Sequence, residues 1–459
     1  MSQQIHFRLP LPFPPPLMQT GKKCAEEDNA RLAHIDELLS TASDPSNGGF
    51  LLAEESYCAI RRLEAKASKR FRNACDAHKQ AVERHIAPTL LTIAEGRQPT
   101  TEAIAALIRI VAVDPIRSAF RGRHAGIDPS AETHAGIESL RRVWPNFRAW
   151  WATHFEIFDP VQFPIVDLWQ FFLPLAQWII SERATVRPYG MFMVAFNGSP
   201  GAGKTVTTGV LTVLLNSLLD PTVDGRAVAR SGDDWYLSKA DREPLRACGF
   251  DPGRPGLSNR APPGTQDLGR LRRNIAELDA STPESRIYLA NFDKQSDDIP
   301  LGNAATVTID GKVAVFLFDL WFAGAGTTSD PSAQDSLLRQ NIAAELYNWK
   351  PIFDRIDALF AFNWPSFDSM VEERETQEQL IELKRGKRGM SAEDIVCFMD
   401  YMINKCWDWD NLSPLPDSSR ITFRLWRDSN HRIIAIEKGG LAWTNKTTST
   451  AKYPHKPSH

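Results

Sequence analysis

The stretch MFMVAFNGSPGAGKTVTTGVLTVLL, residues Met191 to Leu215, decides how the rest of the chain is read. An apolar, strand-like run ends in GSPGAGKT, which satisfies the spacing GxxxxGK[ST], and a helical pattern follows at once. A glycine-rich turn between a buried strand and a helix lets successive backbone N–H groups point at one anion. The helix adds the positive end of its dipole. Gly198, Gly201 and Gly203 supply the backbone freedom, with Ser199 and Ala202 between them. Lys204 is placed to reach β and γ phosphates, Thr205 to offer a hydroxyl to Mg²⁺, and Val206 to carry the chain into the helix. ATP with Mg²⁺ is the expected ligand.

Outward from the loop, short β-rich runs alternate with helical segments from about residue 166. This is the pattern of a mostly parallel α/β sheet flanked by helices, as in P-loop NTPases. The expected strands are 191–197, 226–231, 285–292, 313–322, 355–363 and 431–439. Before them, 30–96 carries apolar residues at helical spacing among charges, and further helices are expected at 101–113 and 134–154. Trp144, Trp150, Trp151 and Trp169 read as packing residues, since large aromatics dominate burial. The expected division is a proline-rich leader 1–20, a helical N-terminal domain 21–160, a P-loop domain 165–440 and a polar, flexible tail 441–459, with a boundary near 155–170.

The totals limit the function classes. With 53 basic and 56 acidic residues in 459, the formal charge is −3, which gives no reason to expect nucleic acid or an anionic membrane as partner. The most apolar internal run, FFLPLAQWII at 171–180, is about half the ~20 residues of a membrane helix. The 6 cysteines are scattered, with no zinc-ligand spacing, so reduced thiols in a cytoplasmic protein are expected.

The loop alone does not select among ATPases, GTPases, motors and small-molecule kinases. The next strand, RAVARS, runs into Gly232, Asp233, Asp234, Trp235 and Tyr236, and the carboxyl end of a parallel strand faces the ligand crevice. A carboxylate there can accept the proton of an attacking hydroxyl. On spacing alone the acidic pair serves equally well as a cap for a helix starting near Ser238.

Further segments occur in order: SGDDWYLSKADREPL, APPGTQD, NFDKQSDD, VFLFDLWFAGAG and LKRGKRGMSAEDI. Together with GSPGAGKT, this series resembles the D-glycerate 3-kinases, members of the phosphoribulokinase and uridine kinase group of P-loop kinases, over about residues 168–440. The resemblance implies that Asp233 is the catalytic base and that Asp234 and Tyr236 help hold the acceptor. It places Thr265 and Gln266 of PGTQD, and Asp293 and Lys294 of FDK, over the acceptor site. It also implies that Arg374 belongs to a lid closing on ATP, with Arg385 and Arg388 near the phosphates, and that Asp319 joins Thr205 in organising Mg²⁺. This chain departs from the family pattern in three places: Asp319 stands for Glu, Gln266 for His, and the loop after Lys294 is shortened. The resulting expectation is γ-phosphoryl transfer to a hydroxyl of a small, anionic metabolite, D-glycerate or a related hydroxy acid first. The alternatives are another polar acceptor, or a nucleotide-switched interaction protein with a degenerate acceptor site.

Overall fold

The computed structural model describes residues 86–121, 128–154, 165–326, 331–362, 367–386, 389–406, 421–427 and 432–439. The proline-rich leader, the helical pattern read over 30–85, the tail and Arg388 lie outside the described residues, as does the side chain of Arg385. The chain divides into two compact units, Met1–Ile86 and Ala87–His459. The second contains all the elements named below.

Its centre is a six-stranded sheet of β1 (Phe192–Asn197), β2 (Arg226–Ser231), β5 (Val313–Asp319), β6 (Ala358–Phe362), β7 (Ile421–Arg427) and β8 (Ile433–Gly439), in the order β2-β5-β1-β6-β7-β8. All neighbours are parallel except the edge pair β7–β8. FMVAFN, VAVFLFD and ALFAF are buried at every position, because strands covered by helices on both faces have no solvent side to alternate toward. The α/β fold with a mostly parallel sheet is therefore as the sequence pattern implies.

Several strands differ from the expected set. β3 (Arg286–Ala290) does not join the sheet; it pairs antiparallel with β4 (Thr306–Asp310) in a separate hairpin. Ile287 and Leu289 are buried while Arg286 and Tyr288 are exposed, so one face of the hairpin packs and the other is wet. The run expected at 313–322 stops at Asp319, where the chain turns, and β7 was not expected at all.

Helices α1 (Thr101–Val113), α2 (Pro129–His154) and α3 (Leu173–Val186) belong to the same unit as the sheet. Within the sheet region, α4 (Lys204–Leu218) follows β1, while α5 (Leu268–Asp279) and α6 (Leu337–Phe353) bury Leu271, Ile275, Ile342 and Leu346 in one core with Phe316 and Leu359. Trp144 and Trp169 are buried, and the Trp169 ring carries the Arg117 guanidinium at 4.7 Å. The Phe120 ring lies 6.4 Å from Phe360 of β6 and 5.7 Å from Phe423 of β7, which makes it part of the sheet's own core. Among the described residues no helix is long and apolar enough to cross a membrane. Cys248, Cys397 and Cys406 form no disulfide.

Strand register positions the site. Asp319, the last residue of β5, stands opposite Phe196 of β1 on one side and Ser231 of β2 on the other. Three adjacent parallel strands thus end at one level, in the crevice outside their carboxyl ends.

Candidate active site

The phosphate loop leaves β1 and enters α4 through Gly203. Gly201 and Gly203 have φ of 84° and 85°, the left-handed region that a Cβ makes costly, which is why the motif needs glycine there. Lys204 Nζ donates to the carbonyls of Gly198 at 2.8 Å and Ser199 at 2.9 Å. Burial lowers the Lys204 ammonium to about 8, with Asp319 and Asp233 opposing and Lys294 and Arg427 adding to the effect. The Ser199 hydroxyl is buried with no hydrogen-bond partner. Val206 is on the exposed first turn of α4.

Thr205 Oγ1 donates to Asp319 Oδ2 at 3.1 Å, and Ser231 Oγ donates to Asp319 Oδ1 at 2.9 Å. Burial raises the Asp319 carboxyl above its ordinary range, with Lys204 and Lys294 acting against it. Two hard oxygen donors, one hydroxyl and one carboxylate, suit Mg²⁺, which keeps several waters and takes few protein ligands. No cluster of three or more His, Cys, Asp or Glu side chains with metal-holding geometry occurs among the described residues.

The acidic pair after β2 divides its labour. Gly232–Trp235 forms a single 3-10 turn capped by Ser231, whose hydroxyl accepts from Asp233 N. Asp234 completes the capping box by accepting from Ser231 N at 3.0 Å, and its Oδ2 lies 3.0 Å from Arg230 Nε. Burial lifts Asp234 to about 6, against the pull of Arg230. Asp234 is thus the cap, although of this turn; the helical turn after Ser238 is capped by Ser238 itself.

Asp233 faces the crevice. Its Oδ2 meets Lys294 Nζ at 2.6 Å and its Oδ1 accepts from Tyr236 Oη at 2.7 Å. Burial pushes this carboxyl up, but Lys294, Tyr236 and Arg260 together hold it down at about 2. Tyr236 is buried, packs edge-on against Phe292 at 5.2 Å and forms a β-bridge with Gln266. Burial and the Asp233 carboxylate raise the Tyr236 phenol well above its usual value, so it stays a donor. The buried amide of Gln266 donates to Ala261 O at 3.3 Å, while its Oε1 has no partner.

Asp233, Tyr236, Gln266 and Lys294 are therefore brought together, as are Lys204, Thr205 and Asp319. Besides Asp234, two more expected acceptor residues are turned to local structure. Thr265 Oγ1 donates to Pro262 O, and the Asp293 carboxylate accepts from Gln295 N, Ser296 N and Ser296 Oγ in its own turn. Arg374, on α7 (Phe367–Arg385), donates to Gln377 at 2.7 Å and to Glu378. Its buried Nε has no partner. Burial lowers its guanidinium, and Arg260 and Asp233 are among its electrostatic neighbours.

No protein-family model matches the chain, and no curated protein matches it by sequence. Solved structures are similar to it, two of them as follows. D-glycerate 3-kinase from Cryptococcus neoformans var. grubii shares 22% identity over 58% of this chain and 98% of its own, with a TM-score of 0.42. The YGR205w protein shares 21% identity over 58% of this chain and 96% of its own, with a TM-score of 0.45.

Four residues of the site were not singled out in the sequence. Ser231 holds Asp319, and its signal was its place just before GDD. Arg260 immediately precedes the APPGTQD segment; its Nη1 donates to Asp297 Oδ1 at 2.6 Å and to Lys294 O at 3.2 Å. Glu373 and Arg427 pair beside the phosphate loop. Glu373 stands next to Arg374, but no motif marks Arg427.

Proposed function

We propose that the chain is an ATP-dependent kinase that transfers the γ-phosphoryl group to a hydroxyl of a small anionic metabolite, with D-glycerate or a related hydroxy acid as first choice. The observation that carries this reading is the Asp233 carboxylate, held by Lys294 and Tyr236 in the same crevice as the phosphate loop. A nucleotide switch has no use for a carboxylate at this place, whereas an attacking hydroxyl needs an acceptor for its proton.

Each group then has its task. Loop amides and Lys204 would bind the β and γ phosphates, and Thr205 with Asp319 would hold the metal. Mg²⁺ bound there would neutralise charge on the phosphates and help orient them for in-line transfer. Lys294, Arg260 and Arg374 surround Asp233 with positive charge, which suits an acceptor bearing its own carboxylate. An acceptor carboxylate would also compete with Asp233 for Lys294. Asp233, released from that ammonium, would gain basicity when an acceptor is in place, and its Oδ would take the hydroxyl proton as the new P–O bond forms. In a loose transition state that transfer comes late, so a weak base suffices. The lid helix α7 would exclude water.

ADP release by the purified full-length chain, measured against hydroxy acids, sugars and nucleosides, tests this. Turnover dependent on one acceptor is expected, falling about 10² to 10⁴-fold in Asp233→Asn with ATP affinity nearly unchanged. ATP binding without turnover on any acceptor would favour the nucleotide switch instead.

A further inference from the structure

Arg427 is the last residue of β7, two strands from the phosphate loop in sheet order, yet its side chain is buried beside that loop. Its Nη1 lies 2.8 Å from Glu373 Oε1 and its Nη2 lies 2.8 Å from Glu373 Oε2, a two-pronged pair whose side chains are only 3% and 15% exposed. Glu373 in turn rests on the loop. A Cβ placed on Gly201 would stand 2.9 Å from Glu373 Cβ and 3.4 Å from Glu373 Oε2. A carboxylate of the lid helix thus lies against the surface whose amides and helix terminus attract anions. The Arg427 charge is felt at Lys204.

This placement is costly for a kinase if it is permanent. A triphosphate on the loop would bring its charge next to Glu373, and like charges at contact range repel strongly where water is scarce. Breaking a buried ion pair without a substitute is costly, so a second anion at Arg427 eases the departure of Glu373. Guanidinium groups accept carboxylate and phosphate in the same two-pronged geometry. We propose that Arg427 is a phosphate-contacting residue, held by Glu373 until nucleotide arrives, and that Glu373 and the triphosphate compete for it. The proposal rests on the reading of 198–205 as an ATP site. Exchange of partners would also free the lid helix from the loop it leans on, so nucleotide binding and lid movement become one event.

Calorimetric binding of the Mg²⁺ complex of a non-hydrolysable ATP analogue to the full chain decides it. Arg427→Gln is expected to weaken binding about tenfold or more, the scale of one charge-assisted contact. Glu373→Gln, which keeps the side-chain shape and removes the competing charge, is expected to tighten it several-fold. Arg427→Lys, which keeps the charge and loses the fork, is expected to fall between Arg427→Gln and the parent. A clamp with only a structural role would make Arg427→Gln and Glu373→Gln change affinity in the same direction, or not at all, and either result overturns the proposal. Lys204→Ala separates the two levels. If it binds like the parent, the reading of the loop fails; if it loses binding while the pair variants move together, only the role of Arg427 fails.

Discussion

Asp233 shows how a single carboxylate is tuned by what it touches. Its folded value of about 2 lies below the ordinary 3.8, so pairing contributes stability above pH ~4 that is lost as pH falls toward 2. The shift corresponds to at most about 2 kcal/mol, and Lys294 is 55% exposed, so solvent screening reduces the net contribution to about 1 kcal/mol. Asp233→Asn is therefore expected to lower stability by about 1 kcal/mol at pH 7, with the gap narrowing below pH ~4 and closing as pH nears 2. Urea denaturation across that range checks it, and an equal loss at both ends would show that the pair is not the cause. At this scale the sequence was a good guide wherever a residue sits inside a motif. Lys204 and Thr205 were legible because the spacing of one motif fixes them; Asp233, Tyr236 and Lys294 were legible only through the resemblance to the kinases. The distinction between Asp233 and Asp234 was not, because which acid caps the turn depends on the hydroxyl of Ser231 and the guanidinium of Arg230, not on spacing. Arg427 was invisible, since its partner lies 54 residues earlier.

Elements carry the next level of information. β1, β5 and β6 announced themselves as continuous apolar runs because both faces are covered. β3 carries a similar local signal but pairs with β4, whose TVTID is too short and half-exposed to stand out. Choice of partner is settled by tertiary packing and leaves no mark in a five-residue run. Helix α7 and the loop make a further test. Gly201 needs a positive φ, and any side chain there meets Glu373 at 2.9 Å. Gly201→Ala is therefore expected to lower stability by about 1 to 2 kcal/mol, combining left-handed strain with displacement of α7. Thermal melts with and without the Mg²⁺–ATP analogue check this. If the Ala variant melts like the parent in both, α7 is not seated on the loop.

At the scale of the whole molecule, the question is whether the helices before residue 155 can be separated from the sheet. The sequence suggests a boundary at 155–170, where helical texture gives way to alternation. The packing argues for continuity across it. Phe120 joins Phe171, Trp178, Phe360 and Phe423 with ring centroids 5.7 to 6.4 Å apart, so one aromatic cluster spans the early helices, α3 and two strands. Asp114 accepts from Gln170 at 2.8 Å deep in this region, and Asn146 of α2 donates to Ser217 of α4, the helix that carries the phosphate loop, at 3.0 Å. Trp150 lies so close to Gly209 of α4 that an added Cβ would be 2.6 Å from its ring. Removing residues before 165 would expose Phe171, Trp178 and the outer face of α4 together, a loss that a marginally stable domain does not survive. Phe120→Ala is accordingly expected to cost about 3 to 5 kcal/mol, and a chain beginning at 165 to be insoluble or to melt without cooperativity. A chain beginning at 87 keeps the whole cluster and is expected to melt cooperatively and bind nucleotide. If the chain from 165 did so as well, the early helices would be an appendage, and the phosphate loop would owe its position to the sheet alone.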